Sequence, residues 1–145
     1  MSPVDREVVR RKLERIASNL RLLEPMKDLS LEAYRADVYR RKATERLLQE
    51  VVEAAVDVNL HLLTGTGRPA PDDLYSSFLA LGEAGILDSS LAARLAPSAG
   101  LRNRLVHEYD RLEDALVLAS VGGALELYPR YLAAVERFLE SGRDR

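Results

Sequence analysis

At 145 residues, with 47% hydrophobic and 30% charged residues, the chain has the size and balance of one folded domain that buries a sizeable core without staples. The absence of cysteine excludes disulfide frameworks, thiolate zinc sites and cysteine nucleophiles, and two histidines, His61 and His107, leave little for a metal site, so neither metal nor cofactor is expected. A net charge of -2 argues against a generic nucleic-acid coat; any RNA contact must come from a local patch, with Arg94, Arg102, Arg104 and Arg111, or Arg40, Arg41, Lys42 and Arg46, as the candidates.

The first helix is expected to start at Ser2, with Pro3 inside it and Asp5 three positions after the N-cap. Val9, Leu13, Ile16, Leu20 and Leu23 step by four, three, four and three, a narrow apolar seam for a partner helix, which Glu24-Pro25 ends. A second helix is predicted from about Ser30 to Leu63, with Tyr34, Val38, Leu48, Val51, Val52, Ala55, Val58 and Leu62 on its buried side. Its length suits the spine of a bundle, extending into a subunit contact. Thr64 to Pro71 reads as a loop, and its G-x-G has neither the preceding strand nor the following G-K-[ST] of a phosphate cradle.

Asp72 or Asp73 caps a third helix that runs to about Ala84, where Gly85 ends it. Asp88 and Ser89 begin a fourth, interrupted near Pro97 to Gly100 before another helical stretch. The last segment, about Leu112 to Leu139, is helical, with Gly122, Gly123 and Pro129 expected to bend or loosen it. No segment alternates with period two. The expected architecture is all-α, an antiparallel bundle of four to five helices forming a single domain over residues 1–145. No apolar run approaches the ~18 residues of a membrane span, and Met1 to Arg10 lacks a signal-peptide core, so a cytoplasmic protein without membrane contact is expected.

Arg102-Asn103-Arg104-Leu105-Val106-His107-Glu108-Tyr109 carries the chemistry. Arginine offers a permanently charged planar fork that matches phosphate oxygens. Histidine can take or give a proton near neutral pH. Together they suit cleavage of an RNA phosphodiester without a metal. At about 100° per residue, Asn103, His107 and Arg111 share one helical stripe, while Arg102 lies about 140° from His107 and nearly in line with Tyr109. Either Arg102 sits at an irregular helix start and reaches round, or the site combines groups from two subunits. Asp57 and His61, at i and i+4, read as a helix-stabilising pair worth ~0.2–0.5 kcal/mol or as support near the cleft.

This segment resembles the R-x4-H-x-Y motif of the HEPN superfamily, in the branch of HepT-like toxins paired with a minimal nucleotidyltransferase. Glu83-Ala84-Gly85-Ile86-Leu87 and Ala99-Gly100-Leu101 are similar to that branch, as is Ala43-Thr44-Glu45-Arg46-Leu47-Leu48-Gln49, continuing through Glu53 and Asp57 to His61. The likeness runs from roughly Asp28 to Asp110. It implies the toxin of a type VII-like toxin–antitoxin module, a metal-independent endoribonuclease in which a ribose 2′-hydroxyl attacks the adjacent phosphate of a tRNA or mRNA.

Arg102 and His107 would be catalytic and Asn103 would assist, while Arg104 and Arg111 would contact the RNA backbone. The cleft would lie at a homodimer interface. Tyr109 would receive AMP from a cognate nucleotidyltransferase antitoxin, which silences the toxin. Two other readings stay open: a non-catalytic helical subunit that binds nucleotide or substrate for the transferase, and a plain helical interaction module.

Overall fold

The computed structural model describes residues 3–107 and 113–144. Helix α1 spans Arg6–Leu23 and starts four residues later than expected, because Asp5 is itself the N-cap: its carboxylate accepts the Val8 N–H at 3.1 Å, and Pro3 precedes the helix. A 3-10 turn, Glu24–Met26, follows through Pro25.

The single helix expected over 30–63 is two, α2 (Leu31–Ala36) and α3 (Val38–Gly65). Asp37 separates them. Its backbone is extended (φ -120°, ψ 102°), and its carboxylate accepts the Arg40 N–H at 3.1 Å, capping α3. A short acidic side chain that bonds the backbone two or three residues on competes with helix continuation, and here it wins.

Helix α4 (Leu74–Glu83) is capped by Asp73 and stopped at Gly85, whose φ of 76° favours glycine. Helix α5 (Ser89–Leu95) and α6 (Ser98–His107) are separated only by Ala96 and Pro97, so Gly100 lies inside α6. Helix α7 runs unbroken from Asp114 to Ser141 through Gly122, Gly123 and Pro129. Tyrosines on either side of Pro129 hold this stretch of α7 to its neighbours. Tyr128 shares a hydrogen bond with Ser98 of α6 (2.9 Å), and the Tyr131 hydroxyl reaches Asn59 Oδ1 (2.5 Å) and the Ala55 carbonyl (3.0 Å) of α3.

The result is the all-α bundle expected, with five helices of ten or more residues and two short ones, and no strand among the described residues. Helix α3 packs against α1, α4, α6 and α7, and the α1 seam is buried along its whole length. The chain closes on itself where Arg6 grips Asp144 through Nε (2.9 Å) and Nη2 (2.8 Å). No helix among the described residues is long and apolar enough to cross a membrane.

One polar group sits in the centre. Asn59 is fully buried, donates to Ser77 Oγ at 3.1 Å and accepts from Tyr131, so one side chain joins α3, α4 and α7. Inside a protein such a group stabilises only while its partners are present. Asn59→Ala is therefore expected to destabilise the fold by about 1–3 kcal/mol, read as a lower urea midpoint with an unchanged slope.

Candidate active site

Arg102 is the fifth residue of α6, in regular helix, and not at an irregular start. Its side chain turns to α3. Nε and Nη2 both donate to Glu53 Oε2, at 3.3 and 3.0 Å, and Nη1 makes a longer bond to Asn103 Oδ1 at 3.4 Å. The other Glu53 oxygen accepts from Gln49 Nε2 at 3.1 Å. The pair is half-buried. His107, the last residue of α6, is exposed, as are Asn103 and Arg104. No hydrogen bond joins Arg102 to His107, as their angular separation requires. Tyr109 and Arg111 lie outside the described residues.

Arg102 borders a polar cleft of about 410 Å³, walled by Lys12 and Arg15 of α1, Arg46, Glu50, Glu53 and Asp57 of α3, and Leu74 of α4. Glu50, Glu53, Asp57 and His61 fall within about 80° of one another on α3. Each holds something. Glu50 takes Arg46 (3.1 Å) and Asn19 of α1 (3.1 Å), Glu53 takes Arg102, and Asp57 takes Lys12 of α1 (3.0 Å). His61 Nε2 accepts the backbone N–H of Asp5 at 2.8 Å, which needs a neutral ring protonated on Nδ1. Asp57 and His61 thus reach α1 separately rather than pairing with each other along α3.

Both candidate basic patches contain arginines with acidic partners. Arg94 bonds Glu126 at 2.9 Å, Arg46 bonds Glu50, and Arg41 has a buried Nε without a hydrogen-bond partner among the described residues. Arg104 lies at the edge of a separate apolar groove of about 380 Å³ between α3, α6 and α7, lined in part by Leu48, Leu101, Leu116 and Leu127. The acidic partner of Arg102 escaped the sequence reading. Its signal was present, since carboxylates at 50, 53 and 57 share one stripe of a helix whose opposite side is apolar.

A second polar cluster joins α2, α3 and the start of α7. Tyr34 is fully buried, with a hydroxyl that has no hydrogen-bond partner among the described residues. Burial, reinforced by the Glu45 and Asp114 charges, pushes its pKa up to about 12. Glu45 is also raised, by burial first, with Asp114 adding to the effect against the pull of Lys42 and Arg41.

Comparison with known proteins fixes the class. A HEPN toxin of Shewanella oneidensis, tri-AMPylated and in complex with an MNT antitoxin, superposes with a TM-score of 0.82 over 92% of this chain and 99% of that one, at 22% identity. YutE, a cytosolic protein of unknown function from Bacillus subtilis, superposes at 0.85 over 97% and 94%, at 15% identity. The fold is that of HEPN toxins.

In sequence, the tRNA nuclease HepT of Aphanizomenon flos-aquae (strain 2012/KM1/D3) is 35% identical over 139 residues, 96% of this chain and 95% of that protein. Residues 10–140 match the ribonuclease HepT-like family, and the chain belongs to it. Its enzyme class is ribonuclease.

The second cluster gives a pH dependence that can be measured. A carboxyl whose folded pKa is raised binds its proton more tightly in the folded state, so stability falls as pH rises from the ordinary glutamate value through the raised one. Glu45→Gln is expected to melt higher than the parent protein at pH 7. That advantage should disappear below about pH 4, where the parent carboxyl is protonated in both states. Thermal melts of the two proteins across pH 3–8 check it.

Proposed function

We propose that this chain is the toxin of a HEPN/MNT toxin–antitoxin pair, cleaving RNA by attack of a ribose 2′-hydroxyl on the adjacent phosphate. The observation that carries this reading is the placement of Arg102 and His107 on one ten-residue helix, the arginine anchored on Glu53 and the histidine open to solvent. With Nε and one Nη2 donor committed, the Nη1/Nη2 end of the guanidinium still has donors for a phosphate. There it would stabilise the charge that builds on the phosphoryl oxygens.

His107 would take the 2′-hydroxyl proton, or give one to the leaving 5′-oxygen. Asn103, beside Arg102 and exposed, is the assisting group, and Arg104 and Arg111 are the proposed backbone contacts.

Arg102 and His107 diverge on their helix, so the complete site is read as a composite of two copies in a symmetric homodimer. The apolar groove beside Arg104 is the face a second copy would cover. Tyr109 is the proposed acceptor of AMP from a cognate nucleotidyltransferase, a reading supported by the AMPylated state of the Shewanella toxin in complex with its MNT antitoxin. Negative phosphate beside Arg102 would compete with RNA for the arginine. The cytoplasm is its proposed site of action, where a tRNA or mRNA target would be met.

Purified protein is expected to cut tRNA or mRNA in EDTA and leave a 2′,3′-cyclic phosphate. His107→Ala and Arg102→Ala should each lose at least ~10²-fold in rate while remaining folded. Mixing the two inactive variants should recover part of the activity through one intact composite site. A magnesium requirement, or no recovery on mixing, would overturn the chemistry or the dimeric site respectively.

Incubation with the nucleotidyltransferase, ATP and magnesium is expected to add one or more AMP units at Tyr109 and to stop cleavage. Tyr109→Phe should escape both effects. Inhibition without added mass would point instead to steric capping by the partner.

A further inference from the structure

We infer that Glu53 is a positioning residue for Arg102, fixing the guanidinium so that its free edge is presented to the phosphate; this rests on the ribonuclease reading above. Three observations carry it. Glu53 Oε2 accepts from both Nε and Nη2, so the carboxylate takes the side of the guanidinium and leaves its end. Glu53 is itself held, its second oxygen accepting from Gln49 Nε2 one turn earlier on the same helix. Asn103 takes Nη1 from the third side.

An arginine side chain has several free torsions and about 2 kcal/mol of rotamer entropy to lose on being fixed. Here the chain Gln49–Glu53–Arg102–Asn103 fixes it before substrate arrives. The carboxylate also lowers the local positive charge, which disfavours tight ground-state binding of RNA. The arrangement therefore trades affinity for orientation, and an orientational role acts on turnover rather than on binding.

Glu53→Ala should leave the cation in place but let it wander. Turnover is expected to fall ~10–100-fold, the scale of a small misplacement of a reacting group, while KM stays within about threefold. Glu53→Gln keeps an acceptor oxygen, and Gln49 can reverse its amide to match the new one, so this variant should recover most of the loss. It also keeps the test usable if the alanine protein unfolds.

A second reading follows the arginine directly. Relaxation of the 15Nε–H of Arg102 should report a rigid group in the parent protein and in Glu53→Gln, and a mobile one in Glu53→Ala. Faster turnover with tighter RNA binding in Glu53→Ala would show that the carboxylate merely occupies the phosphate's place and would overturn the proposal. Unchanged turnover with only a lower melting temperature would overturn it as well, leaving a structural ion pair.

Should the parent protein cut no RNA, the two claims separate. Loss of Arg102 rigidity in Glu53→Ala would then uphold the positioning contact while the ribonuclease reading fell. Retained rigidity would remove both.

Discussion

Helix α3 carries two stripes that cannot exchange places, and the rest of the molecule is arranged around them. Along one, Leu48, Val51, Ala55, Val58 and Leu62 are buried against the other long helices. Along the other, Glu50, Glu53 and Asp57 line the cleft, and His61 holds the Asp5 N–H. The apolar stripe supplies the stability, because burial of each of its valines and leucines is worth about 1.5–3 kcal/mol. Ion pairs as exposed as Lys12–Asp57 are worth about 0–1 kcal/mol. Their contribution is registration. His61 and Asp57 set where α1 starts and how it is rotated, and Glu53 sets where α6 presents its arginine.

This division explains how a chain of net charge -2 can belong to a ribonuclease family. Its cations are not spread as a coat; several are drawn to particular carboxylates. Arg46, Arg94 and Arg102 each have an acidic partner, and each partner belongs to a long helix of the bundle. A paired arginine attracts a polyanion weakly at long range, yet offers its remaining donors in a fixed direction at short range.

Much of the fold was legible in the sequence because it rests on spacing. The Val9-to-Leu23 seam, the cap at Asp73 and the stop at Gly85 all follow from local rules and all appear in the structure. The misses share a cause. Asp5 and Asp37 were each judged by one local tendency while a partner distant in sequence, or a competing local bond, decided the outcome. His61 holds the Asp5 N–H from 56 residues away, and the Asp37 carboxylate takes the Arg40 N–H. Tertiary context outweighs local propensity at such places. In the candidate site, the divergence of Arg102 and His107 was readable from angles alone. The carboxylate stripe of α3 was readable as well, but not which of its members holds Arg102, since the two residues are 49 apart.

The Arg6–Asp144 grip has a consequence for the chain as a thread. The start of α1 and the turn after α7 are joined by two hydrogen bonds, and Arg6 Nη2 also reaches the Leu139 carbonyl at 2.6 Å. The bundle is thus nearly a closed ring in connectivity. The loop from Thr66 to Asp73 connects α3 to α4 on the surface, with several exposed residues. Cutting there and joining the start of α1 to the turn after α7 with a few residues would give a permuted bundle in which α4 comes first and α3 last. The helices would keep every neighbour, and only the order in which they are made would change.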